Sequence, residues 1–243
     1  MTEKKPLNIT PRQAKILAAI VREYSNTSEP VSSEEVSAKY KLDISSATIR
    51  NEMMALERNG FLGQPHTSAG RVPTDLGYRY FVNELMKRFE LSLKEQHALR
   101  EQLGKLQQQH QEIGKNIARL LAEKTDQAAF ALLPEETSAS GLSNILQHPR
   151  FDQRDVVEVV QFFEDIDEYA DQMLSDFFKE RPSALIGKEH HLAPIKNYSL
   201  IVSKVELPTG ERGLIGIVGP KSMRYDKNIS LVEYFAKFLS TGE

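Results

Sequence analysis

The 243-residue sequence contains no cysteine and no tryptophan, and no hydrophobic run approaches the roughly 18 residues that a membrane span needs. The absence of cysteine excludes a disulfide framework and a cysteine-ligated zinc site, and nothing favours an oxidising compartment. The first ten residues carry charge but no apolar segment of the kind found in a secretory signal. We therefore expect a soluble, cytoplasmic protein with no membrane partner.

A strong net charge is also missing, since 31 Lys and Arg are set against 34 Asp and Glu. The first 90 residues carry 13 basic and 11 acidic side chains, a net of +2, and the remainder carries 18 and 23, a net of −5. This asymmetry is small, but its sign is the one expected of a nucleic-acid-binding N-terminal part. The chain is long enough for two domains.

Capping signals predict two helices in the first 40 residues. Thr10 precedes Pro11 and is followed three positions later by Gln13, which is a capping box with proline at the first helical position. Ser32 and Glu35 form a second capping box before a shorter helix. The apolar residues that recur with helical spacing are Leu17, Ile20, Val21 and Tyr24 in the first helix and Val36 and Tyr40 in the second.

A third helix is predicted in "SSATIRNEMMALERNG" (45–60), with Ser45 or Ser46 as its N-cap and Gly60 at the C′ position. One side of this helix is apolar, and the opposite side is small or polar. The inward residues are Ile49, Met53 and Leu56, and the outward residues are Ala47, Asn51, Met54 and Arg58, flanked by Thr48 and Arg50. A short helix followed by such a helix is typical of a helix-turn-helix unit, and an ordinary helical hairpin with a solvated face shares the pattern.

The segment "GQPHTSAGRVPTD" (63–75) is too long and too polar for an ordinary connection between helices. "FLGQP" and "AGRVPT" at its two ends are predicted to pair as a hairpin beside the third helix. Such a hairpin is a wing, which would lay four residues along the sugar-phosphate backbone or in the minor groove, namely His66, Thr67, Ser68 and Arg71. Thr74 then caps a further helix whose buried stripe is predicted to contain Tyr78, Val82, Leu85 and Phe89.

The third helix carries side chains that can read base edges. Asn51 can make a paired hydrogen-bond contact to adenine and Arg50 can make one to guanine, each contributing about 1–3 kcal/mol of discrimination. Arg50 lies nearer the flank of the helix and could instead contact a phosphate. Ser46 and Thr48 would hold phosphates at the helix N-terminus, where the dipole favours an anion, unless Ser46 is only a cap. The predicted DNA-binding residues are Ser45, Ser46, Ala47, Thr48, Arg50, Asn51, Arg58, His66, Thr67, Ser68 and Arg71.

The remaining sequence predicts helices and an antiparallel sheet. A heptad seam consists of Leu99, Leu103, Leu106, His110, Ile113, Ile117 and Leu120. It either forms a dimer interface, with His110 setting the register, or packs back on the C-terminal part. Helices are then predicted at 155–163 and 166–178, strands in "YSLIVSKVEL" and "GLIGIVG", and a last helix in "NISLVEYFAKFL".

We expect neither an enzyme nor a cofactor or metal site. No constellation of Ser, His and Asp can be argued from the sequence. The neighbouring pair His190 and His191 has no third ligand at a usual spacing, so surface histidines are the favoured interpretation.

The segment "SSATIRNEMMALERNGFLGQPHTSAGRVPTDLGYRYFV" (45–82) closely resembles the heat-inducible transcription repressor family HrcA. The likeness continues backwards through residues 7–44 and returns in "GLIGIVGPKSMRYDKNISLVEYFAKFLS" (213–240). The resemblance implies a winged-helix DNA-binding domain, a GAF-like domain and a dimer that matches an inverted-repeat operator, CIRCE, ahead of chaperone genes. It also implies a chaperonin as a partner that helps the repressor to reach its active form.

The sequence departs from that family where "AAFALLPEET" passes quickly to "SGLSNILQHPRFD", because much of the family's dimerising insert is missing. We expect an α+β protein with a winged helix-turn-helix domain at residues 1–90, a linker helix at 91–127 and a shortened GAF-like regulatory and dimerisation domain at 128–243. The hypothesis is a dimeric repressor of heat-shock genes. The alternatives are a winged-helix module that binds proteins and a transcription regulator gated by a small molecule.

Overall fold

The computed structural model describes residues 9–66, 69–107, 112–134, 136–147, 153–176, 182–192 and 195–241. The chain forms two compact units, residues 1–87 and 88–243. None of the described helices has both the length and the apolar character needed to cross a membrane.

The first unit begins with three helices, α1 (Pro11–Thr27), α2 (Ser33–Lys39) and α3 (Ser46–Arg58). Both predicted capping boxes are present, the first at Thr10 and the second at Ser32. The apolar faces of the three helices form the core of this unit. Its buried side chains include Leu17, Ile20, Val21, Tyr24, Val36, Ile49, Met53 and Leu56, as predicted, while Tyr40 is half-buried.

The N-cap of α3 is Ser45, whose side chain accepts a hydrogen bond from the N–H of Thr48 at 3.2 Å. The alternative that Ser46 caps this helix is wrong, because Ser46 is its first helical residue. Gly60 follows the helix with φ +81°, the left-handed conformation predicted for a C′ glycine.

The predicted hairpin is present as two short antiparallel strands, β1 (Leu62–Gly63) and β2 (Val72–Pro73). Val31, which precedes α2, bridges Arg71 at the base of this hairpin through two backbone hydrogen bonds of 2.9 and 2.8 Å. Gly70 permits that approach, since a Cβ there would lie 2.4 Å from the carbonyl of Val31. The hairpin is therefore attached to the chain that leads into α2.

Thr74 closes the hairpin and caps α4 (Asp75–Tyr80). Its hydroxyl accepts a hydrogen bond from the N–H of Gly77 at 3.1 Å and donates to the carbonyl of Gly60 at 2.6 Å. Gly77 lies so close to the preceding chain that a Cβ would be 2.2 Å from the carbonyl oxygen of Phe61. The first turn of α4 therefore packs directly against the backbone of Phe61, which lies between α3 and β1.

The helix after Thr74 differs from the prediction. It continues past α4 as one π-helical turn, Phe81–Leu85, and ends before Met86. Because a π turn is wider than an α turn, the inward positions shift. Phe81 is buried and Val82 only half-buried, and the placement of Phe89 on this helix is wrong.

The second unit begins with two helices, α5 (Leu93–Gln107) and α6 (Ile113–Thr125), so the prediction of one continuous seam is wrong. Glu112 has φ +58° at the start of α6, a conformation that no continuing helix allows. Four seam residues are buried, namely Leu99, Leu103, Ile117 and Leu120, and the structure thus shows the packing alternative. His110 and the side chain of Leu106 lie outside the described residues.

A five-stranded antiparallel sheet follows, with the strand order β4-β3-β7-β6-β5. The strands are β3 (Ala128–Leu133), β4 (Glu136–Ser140), β5 (Ser183–Ile186), β6 (Tyr198–Glu206) and β7 (Arg212–Pro220). The predicted hairpin of β6 and β7 is confirmed, with Ile201 opposite Ile217 in its register. All six residues of β3 are buried, so this strand is covered on both faces.

The sheet is covered by helices, as predicted for an α+β chain. They are α6 and four further helices, α7 (Leu142–Leu146), α8 (Gln153–Glu164), α9 (Ile166–Asp176) and α10 (Tyr225–Thr241). Phe130, Leu200 and Val218 form one hydrophobic cluster with Phe162 and Met173 of α8 and α9. In addition, α6 packs against β3 and β4, and α10 packs against β6.

The interpretation of His190 as a surface residue is wrong. It is 1% exposed at the end of a 3₁₀ turn, Gly187–His190, whereas His191 is exposed. The His190 Nδ1 accepts from the N–H of Leu192 at 3.1 Å, so Nε2 carries the proton and faces the carbonyl oxygen of Tyr198 at 3.4 Å. Burial lowers the pKa of His190. Within the described ranges, no cluster of three or more His, Asp or Glu could hold a metal ion.

Candidate nucleic-acid interface

The outward face of α3 is exposed as predicted. Ala47, Arg50, Asn51 and Arg58 are all exposed, while Ile49 on the opposite side is fully buried. The face consists of small, amide and guanidinium groups together with the exposed side chain of Met54, and its polar groups can approach the floor of a major groove and bond base edges. The arrangement therefore leaves the predicted base-reading groups accessible.

Two hydroxyl groups at the N-terminus of α3 hydrogen-bond each other. The Oγ of Ser45 lies 3.0 Å from the Oγ1 of Thr48, in addition to accepting the Thr48 N–H. Ser46 is half-buried beside them. The exposed start of a helix favours an anion, and this geometry is compatible with a phosphate contact by these hydroxyls. That contact stays a prediction.

The carboxylate of Glu52 joins α3 to α1. Its Oε2 accepts from the side-chain amide of Gln13 at 3.0 Å, and its Oε1 lies 3.4 Å from the guanidinium of Arg12. Gln13 is also the capping-box residue of α1. One negative charge of the predicted recognition helix is thus paired on the flank, away from the outward face.

The carboxylate of Glu57 joins α3 to the hairpin. Its Oε2 accepts from Nε of Arg71 at 2.9 Å and lies 2.9 Å from Nη2 of the same guanidinium. The Arg71 side chain is only 15% exposed. The hairpin therefore lies beside α3, as a wing does, and Arg71 has an internal partner. Its predicted contact with the DNA backbone stays a prediction.

Of the remaining predicted wing residues, His66 is exposed, and its carbonyl accepts from the N–H of Ala69 at 2.9 Å. The side-chain amide of Gln64 donates to the carbonyl of Ala69 at 3.0 Å. Thr67 and Ser68 lie outside the described residues.

Sequence reasoning missed the contacts that orient this surface. Val31 gave no strand signal, because a single bridging residue has no periodicity to detect. Glu52 and Glu57 received no role from the sequence, since only the core-facing and outward faces of this helix were assigned. Their spacing of five residues puts them on different flanks of α3, which is the signal that could have predicted two separate partners.

Two family descriptions match the chain, and together they cover most of it. "Winged helix-turn-helix transcription repressor, HrcA DNA-binding" matches residues 8–87, and "HrcA protein C terminal domain" matches residues 77–229. The chain belongs to the HrcA family. The first HrcA description coincides with the unit that carries α3 and the wing, and the second covers most of the unit that carries the sheet.

Curated HrcA proteins resemble the chain over different lengths. "Heat-inducible transcription repressor HrcA" of Natranaerobius thermophilus is 30% identical over 333 residues, covering 94% of this chain and 95% of the relative. That alignment is longer than the chain, so gaps must lie within it. The HrcA proteins of Pelotomaculum thermopropionicum and Desulforamulus reducens are 43% and 46% identical over 133 and 123 residues, or 55% and 51% of this chain. In these two alignments the chain spans 38% and 35% of the relative's length.

A solved structure shares the fold. A crystal structure of a hypothetical protein superimposes with a TM-score of 0.72 at 21% identity and covers 96% of both chains. The likeness supports the arrangement of the HrcA fold described above and carries no information on ligands.

Proposed function

We propose that the chain is a transcription repressor that binds duplex DNA through α3 and the wing. The observation that carries this proposal is the exposed face of α3, on which Arg50 and Asn51 stand free of the core while Glu52 and Glu57 are paired on the flanks. The two negative charges, which the DNA phosphates would repel, therefore lie away from the face that would enter the groove. The HrcA relatives, which are named as heat-inducible transcription repressors, support the same function.

The proposed operator is an inverted repeat of the CIRCE type ahead of heat-shock genes, bound by a dimer in the cytoplasm. A two-fold operator requires two copies of α3 related by a two-fold axis. We include a chaperonin as a partner on the family likeness alone. Transcription repression is not a catalytic activity, and we assign no catalytic residue.

The test uses the purified chain and two synthetic duplexes, one with the CIRCE-type inverted repeat and one with the same bases shuffled. We expect binding to the repeat to be tighter by at least about 10³-fold at physiological salt, the lower end for sequence-specific proteins. Native mass measurement of the complex should give two chains per duplex. Equal affinity for both duplexes would contradict specific recognition, and one chain per duplex would contradict the dimer.

The chaperonin part of the proposal has a separate test. The chain is unfolded, diluted into buffer with or without purified chaperonin and nucleotide, and assayed for binding to the repeat. A larger active fraction with the chaperonin supports the partner. The same active fraction in both samples, or with an inert protein as the addition, argues against it.

A further inference from the structure

Met54 is an exposed apolar side chain in the middle of the predicted recognition surface. It is 42% exposed, whereas its neighbour Met53 is buried at 3%. Among the described residues of the first unit, Met54 is the one large hydrophobic side chain that is exposed. The helix is therefore held to the core by other residues, and Met54 contributes little to that core.

The neighbours of Met54 place it among the polar groups that face DNA. Residues three and four apart share a helix face, so Met54 lies one turn after Arg50 and Asn51 and one turn before Arg58. All three of these side chains are exposed. Met54 thus belongs to the same strip as the groups proposed to bond base edges.

The wing lies close to the same turn of α3. Glu57, which follows Met54 by three residues, holds the guanidinium of Arg71. When the wing and α3 both contact a duplex, the surface between them loses water. An apolar side chain buried there is best placed against an apolar partner, because a polar group of the duplex in contact with it would lose its hydrogen bonds to water.

The major groove offers one such partner, because the C5-methyl group of thymine is the apolar feature among its base edges. An unbranched thioether is flexible enough to contact a methyl group whose position depends on the local groove. We propose that Met54 contacts a thymine methyl group in the operator and contributes to base preference at that position. This inference rests on the proposed function.

The experiment removes the methyl group and the side chain separately. A duplex recovered by binding-site selection with the purified chain is synthesised with each thymine replaced in turn by uracil, which lacks only the methyl group. Affinity is measured for the wild type, Met54→Ala and Met54→Gln. At one thymine in each half-site, we expect the wild type to lose about fourfold in affinity, the factor for one buried methyl-sized group. Both variants should bind the thymine and uracil duplexes equally at that position.

Leu93→Ala is the matched control, since Leu93 is another exposed apolar side chain, 84% exposed in α5 of the second unit. It should keep the full difference between thymine and uracil. A wild-type loss that persists unchanged in Met54→Ala, or no loss at any thymine, overturns the inference while specific binding stands. If the wild type does not distinguish the selected duplex from a shuffled one, the proposed function fails and the inference fails with it. Unfolding midpoints of the variants equal to that of the wild type exclude a loss of fold as the cause.

Discussion

Arg71 of the wing and Glu57 of α3 form an ion pair in which Nε and Nη2 both lie 2.9 Å from one carboxylate oxygen. The pair is the side-chain link between the hairpin and the predicted recognition helix. A charge-assisted hydrogen bond of this geometry is stronger than one between neutral groups. It links the wing to the side of α3 that carries Glu57.

We predict that this pair holds the wing in place. Glu57→Gln and Arg71→Ala should each lower the free energy of unfolding, and the double variant should show a coupling of about 0.5–1 kcal/mol, as for a partly exposed pair. Denaturant unfolding of the four proteins measures this. Additive single effects would show that the two side chains do not interact in solution.

Glu57→Gln should also change DNA binding in a direction that charge alone does not predict. Removing the negative charge of Glu57 strengthens binding on electrostatic grounds, whereas loosening the wing weakens it. We expect Glu57→Gln to weaken binding to the repeat and to shuffled duplex alike, because the wing is predicted to contact the sugar-phosphate backbone, which is the same in both duplexes. Tighter binding by Glu57→Gln would show that the wing does not depend on this pair.

Asn51 is predicted to read a base. Asn51→Ala should cost about 1–3 kcal/mol at one operator position and relax the base preference there, because a paired contact to adenine is lost. Binding-site selection on both proteins measures the preference. Asn59→Ala is the control, since Asn59 is an exposed asparagine at the C-cap of the same helix. An equal loss on specific and shuffled DNA would assign Asn51 to the backbone instead.

Gly77 is predicted to be indispensable for the junction of the wing and α4. Gly77→Ala would put a Cβ 2.2 Å from the carbonyl oxygen of Phe61, so backbone must move. We expect a loss of about 1–3 kcal/mol in the free energy of unfolding. Gly104→Ala in α5 is the control, because a Cβ there meets no atom within 4 Å. It should stabilise by about 0.5–1 kcal/mol through helix propensity. Similar effects at both sites would contradict the close contact.

His190 is predicted to make the second unit sensitive to acid. Its pKa is lowered by burial, so the unfolded chain binds a proton more readily than the folded chain. The stability that the neutral ring contributes is complete above the unfolded pKa of about 6.5 and is lost as the pH falls toward the lower folded value. We expect a smaller free energy of unfolding at about pH 5.5 than at about pH 7.5.

The contribution of His190 is isolated by comparing two variants across that pH range. His190→Gln should reduce the loss of stability on acidification, whatever its effect at neutral pH. His191→Gln should leave the loss unchanged, because His191 is exposed. An equal dependence on pH in both variants would assign the acid sensitivity to other groups.

The sequence by itself determined the local elements of the first unit. The side chains of Thr10, Ser32 and Thr74 each accept a hydrogen bond from an N–H three residues later, so these capping bonds follow from local order along the chain. The burial of Ile49 and the exposure of Asn51 likewise follow from helical periodicity alone. These features were predicted because no distant residue enters into them.

Local periodicity failed where distant partners decide the outcome. The heptad seam between Leu99 and Leu120 has the spacing of one helix, yet Glu112 has a left-handed backbone at the start of a separate helix, and residues of both helices are buried. His190 belongs to a polar histidine pair but is buried in the turn that follows β5, where its ring faces the carbonyl of Tyr198 at the start of β6. No short-range signal records either arrangement.

What only the tertiary structure decided is how the predicted recognition surface is held. Sequence pattern gave a helix and a hairpin, each with a charged residue, but Glu57 and Arg71 are 14 positions apart and their ion pair exists only when both elements are folded. The bridge between Val31 and Arg71 spans a still longer stretch of chain. Periodicity reports which side of an element avoids water, and only the assembled fold determines which distant group lies against that side.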